Sequence, residues 1–151
     1  MPPMATTVET ESSGSIGVNR LVRYGLFAVI AASVVNAVIR VVALALFDVP
    51  AEFELFPLGW GPVMVTSAVG AVGATIVYGM ISRYSHRPNW TFTIVAAVVL
   101  VLSFGTILSP PPALAGAPLT VFTMLGAMHV AAAVAIVGVL TRIPISGVDS
   151  P

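Results

Sequence analysis

The sequence predicts an all-α membrane protein: a polytopic bundle of four transmembrane helices with both termini in the cytoplasm. Three observations predict it. Of 151 residues, 58% are hydrophobic and only 8% charged, whereas soluble chains carry about 25% charged residues and expose most of them. Four stretches are long and apolar enough to cross a hydrocarbon core, which takes about 20 residues. Five of the six arginines fall on one side of a chain that crosses four times.

Residues 1–20 precede the first span. Met1 to Gly17, rich in Thr, Ser and Glu, is expected to be a disordered cytoplasmic tail. The first span, about 24–46, follows Arg20 and Arg23. With Ala43-Leu44-Ala45 it has the outline of a signal peptide, but that signal would be unusually long and Arg40 would interrupt it, so a retained helix is expected. The second span, about 60–82, opens with Pro62 in a first turn that has no use for its missing N–H. The third, about 91–109, follows Pro88 and Asn89, and Asn89 is a candidate cap. The fourth, about 118–140, opens at Pro118, and Pro144 stops it. Residues 143–151 form a short cytoplasmic tail. The transmembrane domain is therefore 21–142.

Orientation follows the positive-inside rule. Arg20, Arg23, Arg83, Arg87 and Arg142 flank the spans on one side, while the connections 47–59 and 110–117 hold neither Lys nor Arg. Both ends are thus expected in the cytoplasm of a multi-pass protein of the cell membrane. Trp60, Phe47, Phe53 and Phe56 at the outer edge, with Tyr24, Tyr84 and Trp90 at the inner, read as interfacial anchors.

Several chemistries are excluded. Equal numbers of basic and acidic residues leave no footprint for nucleic acid. The absence of Cys removes thiol redox and thiolate metal chemistry. His86 and His129 lie at different depths without a carboxylate, so no metal is expected, and no cofactor motif is present. No Asp or Glu lies inside a span, which argues against proton-coupled cation export.

Packing is written in small residues, because lipid gives helices little hydrophobic drive to associate. In the second span Ser67, Ala71, Thr75 and Gly79 recur at four-residue steps beside a parallel ridge of Thr66, Gly70 and Ala74. Ala127, Ala131 and Ala135 repeat the device in the fourth. In the first, Ala28, Ala32, Asn36 and Arg40 put the polar groups on a face that admits a neighbour closely.

Span midpoints place Asn36 and His129 near the bilayer centre and Arg40 outward of it, near Ser67 and Thr106. These five form a candidate intramembrane polar site. In one reading they hydrogen-bond one another or backbone carbonyls and fix helix register; for Arg40 a second such reading has its side chain reach outward to Asp48, Glu52 or Glu54. In another they receive an anionic group such as a lipid phosphate or a small carboxylate. A third makes His129 an acid or base.

Asn36, Pro62, Arg87-Pro88 with Thr91-Phe92, Ser103 and Met128-His129 together resemble a family of small four-helix prokaryotic membrane proteins classed as a domain of unknown function. The resemblance spans about residues 20–142 and implies the four-helix architecture without an activity. The expectation is a non-enzymatic membrane component whose partners are the lipid bilayer and either a second copy or another membrane protein. The alternative is a small carrier or lipid- or anion-binding module.

Overall fold

The computed structural model describes residues 16–105 and 109–144. These residues are helical with no strand among them. They form α1 (Val18–Leu46), a short α2 (Ala51–Leu55), α3 (Trp60–Tyr84), α4 (Pro88–Ser103), a 3-10 turn (Pro112–Leu114) and α5 (Leu119–Leu140). Three of them, α1, α3 and α5, are long and apolar enough to cross a membrane. The chain is thus a helical protein suited to the bilayer.

Helix boundaries depart from the sequence expectation where backbone chemistry prevails. α1 begins at Val18, six residues before the expected span. Pro118 is the cap ahead of α5 rather than its first turn, with an extended ψ of 157°. α4 starts at Pro88, so Asn89 lies inside the helix and does not cap it. It ends at Ser103 after 16 residues, about 24 Å of axis against the roughly 30 Å of a hydrocarbon core. Thr106 lies outside the described residues, as do 1–15 and 145–151 of the expected tails. Residues nearer the helices are well packed: Ile16 and Ile143 are both buried.

The helices α1, α3, α4 and α5 alternate in direction along the chain. Leu21 lies against Gly79 and Gly25 against Thr75 at one end of the α1–α3 pair, while Arg40 meets Leu58 at the other. α1 packs chiefly on α5 and α3, and α4 lies against α3 and α5. The described chain ends meet at one end of the bundle, where Arg20 Nη1 donates to the Pro144 carbonyl at 2.8 Å.

The core has two apolar clusters. One gathers Ala28, Ala32, Ala71, Tyr78, Phe92 and Leu140. The other, toward the 47–59 connection, gathers Phe53, Leu58, Val63, Val121, Met124 and Met128. Phe53 is therefore a core residue and not the interfacial anchor its position implied, because α2 turns it inward. Trp60, Phe47 and Phe56 remain about half exposed.

Candidate functional site

The polar residues of the first span occupy two sites. Asn36 sits between the two apolar clusters, 7% exposed, and Nδ2 donates to Ser67 Oγ at 2.9 Å. Ser67, 5% exposed, donates its own hydroxyl to the Val63 carbonyl at 2.7 Å. Among the described residues that leaves Asn36 Oδ1 buried without a partner. Turning the amide over would make Ser67 the donor and strand Nδ2 instead, so one amide atom is unsatisfied either way. Such an atom costs about 1–3 kcal/mol.

Arg40, one turn on, reaches the start of α3. Its Nε donates to the Leu58 carbonyl, and the guanidinium carbon lies 4.4 Å from the centroid of the Trp60 ring. The guanidinium thereby fastens the 47–59 connection onto α1. Among the described residues no ion pair joins it to Asp48, Glu52 or Glu54.

His129 has different surroundings. Its ring is exposed, and Nδ1 lies 2.7 Å from the Leu125 carbonyl of its own helix. A carbonyl only accepts, so Nδ1 carries the proton. The structure thus brings Asn36 and Ser67 together, while Arg40 and His129 each engage a separate set of partners.

The two ridges of α3 also differ. Ser67, Ala71 and Gly79 are buried and Thr75 half-buried. A Cβ at Gly25 would stand 2.7 Å from Thr75 Cγ2, so the helices approach as closely as a glycine permits. On the neighbouring ridge Ala74 is half-buried, but Thr66 and Gly70 are exposed, as is Gly73 one turn on. A Cβ added at Gly70 or Gly73 would meet nothing within 4 Å. In α5, Ala127 is exposed and Ala131 and Ala135 are half-buried.

A polar tie at the opposite end from Arg40 joins three helices. Tyr78, fully buried on α3, donates to Asn89 Oδ1 at 2.6 Å, and Asn89 Nδ2 donates to the Thr141 carbonyl at 3.2 Å. Phe92 stacks edge-on against Tyr78 at 5.1 Å. Sequence reasoning missed this tie. Its signal was a Tyr nearly two turns in from the end of a small-residue helix, opposite an Asn beginning the next.

No curated protein matches the chain, and no solved structure does. The match to the family of unknown function DUF6069 covers residues 17–144, from the cap of α1 to the carbonyl that Arg20 holds, and the chain belongs to that family.

Proposed function

We propose that the chain is a four-pass, non-enzymatic protein of the cell membrane, with both ends cytoplasmic, that works by packing helix against helix with a second copy of itself. The carrying observation is the second ridge of α3. Thr66, Gly70, Gly73 and Val77 follow at four- and three-residue steps, and all are exposed. Small residues that admit a close helix neighbour are left without one inside this chain, and in lipid that is where a partner helix gains contact.

Four crossings are supported by the antiparallel order of the helices and by Arg20 and Pro144 meeting at one end, which takes an even number of passes. α4 is the short member. The family match over 17–144 supports 21–142 as the membrane domain. Orientation rests on the five arginines at the Arg20–Pro144 end.

A reporter fused after Arg142 tests the topology: activity in the cytoplasm is expected, and activity outside it sinks the reading with both ends cytoplasmic. For self-association, Gly70→Leu fills the open ridge without touching α1. It is expected to lower the dimer fraction in detergent severalfold, and an unchanged fraction would remove the ridge as the contact.

A further inference from the structure

The amino-terminal turns of α1 combine cationic groups with an uncovered apolar strip. α1 has 29 residues, about 43 Å of axis, which matches the roughly 40–45 Å of a bilayer with its headgroup layers. Arg20 and Arg23, in its first two turns, therefore stand at headgroup depth. A cavity of about 320 Å³ opens there, lined by Asn19, Arg20, Arg23, Tyr24 and Pro144. Apart from the prolyl carbonyl, every one of these side chains donates hydrogen bonds.

Contacts to described residues help hold both cations in place. Arg20 Nη1 is tied to the Pro144 carbonyl at 2.8 Å. The Arg23 guanidinium carbon lies 5.9 Å from the centroid of the Phe27 ring, and Tyr24 meets the edge of that ring at 6.3 Å. From Phe27 the uncovered surface continues through Ile30 and Val34, which are 47%, 51% and 57% exposed in turn. Arg23, Phe27, Ile30 and Val34 recur at steps of four, three and four, so cation and apolar strip form one line down the helix.

We propose that this surface holds one anionic glycerophospholipid, with Arg20 and Arg23 taking the headgroup phosphate and Phe27, Ile30 and Val34 carrying an acyl chain. Guanidinium groups suit a phosphodiester because their paired N–H groups match its oxygens. The strip is what distinguishes a lipid from a soluble phosphate. This inference rests on the chain lying in a bilayer and not on its orientation or self-association, so a failed topology or dimer test leaves it standing.

The full-length protein is reconstituted in vesicles of equal parts phosphatidylglycerol and phosphatidylcholine and extracted in mild detergent. Mass spectrometry then counts the lipids it retains. Phosphatidylglycerol is expected in excess. In Arg23→Gln that excess falls about fivefold, the weight of one basic contact at a membrane surface. Arg83→Gln removes the same charge from the last turn of α3, outside the cavity, and keeps the excess. Equal retention of the two lipids, or equal losses in the two variants, would overturn the site; the second result would mean that the basic end attracts anions as a whole. Inorganic phosphate and deacylated glycerophosphoglycerol, added at matched ionic strength, separate lipid from soluble phosphate. A lipid site resists both, and release by either overturns it.

Discussion

α1 and α4 are both apolar helices, yet their places in the molecule are opposite. α1 packs closely along both α3 and α5, and the residues it buries are Gly25, Ala28, Ala32, Asn36 and Ala43, none larger than an asparagine. From Ile94 to Leu102 α4 is Val, Leu and Ile apart from Ala96 and Ala97, and the helix buries only Pro88 and Phe92 at its start. Its Val98, Val99, Val101 and Leu102 are 52–71% exposed. In water the second composition would have been driven inside. In lipid it gains nothing by moving, and the closest approaches go to the helix with small residues on its contact faces.

The contrast is sharpest at the glycines. Gly25→Ala puts a methyl 2.7 Å from Thr75 Cγ2, and Thr75 cannot yield: it is β-branched, and its hydroxyl donates to the Ala71 carbonyl at 2.7 Å. A loss of about 1–3 kcal/mol is expected in detergent unfolding, the usual cost of overpacking. Gly79→Ala meets only the flexible end of Leu21, at 2.6 Å. It is expected to cost clearly less; equal costs would mean that the α1–α3 approach is not limited by these contacts.

Tyr78→Phe tests what anchors α4. It removes the bond to Asn89 and leaves that oxygen without its donor, a loss of about 1 kcal/mol. It should also speed hydrogen exchange in the first turns of α4 more than in α1, and uniform exchange would argue against the tie. A double-mutant cycle on Asn36→Ala and Ser67→Ala should give a coupling of about 0.6 kcal/mol, typical of a hydrogen bond between helices in lipid. Zero coupling would mean that the pair does not form. Val98→Ala and Val101→Ala, on the open face of α4, should change stability by less than about 0.5 kcal/mol. A larger loss would place a partner on that face.

Helical content and the long apolar helices were legible in composition and run length, and the family in scattered residues such as Asn36, Pro62 and Met128-His129. What resisted reading was direction around each helix. Depth can be counted in residues, so Asn36 and His129 fell at one level. Which way a side chain turns depends on neighbours the sequence does not name, and the ring of His129 is exposed, bonded to its own helix. Periodicity likewise marks two small-residue ridges on α3 without saying which one α1 will cover. For Arg40 the sequence offered backbone carbonyls or the carboxylates of the 47–59 connection without choosing between them. The partners of Arg40 are a backbone carbonyl, which every residue carries, and the Trp60 ring. Phe53 turned inward for a related reason: a five-residue helix inside a connection has too few residues to leave a periodic trace.

The central claim is that α3 has two small-residue faces, one closed by α1 and one open to a second copy. The chain has no cysteine, so single cysteines report cleanly. Gly70→Cys, expressed in membranes and oxidised, is predicted to give a disulfide-linked dimer, while Val101→Cys on the exposed face of α4 stays monomeric. Equal cross-linking at the two positions, or none at Gly70, would contradict the account.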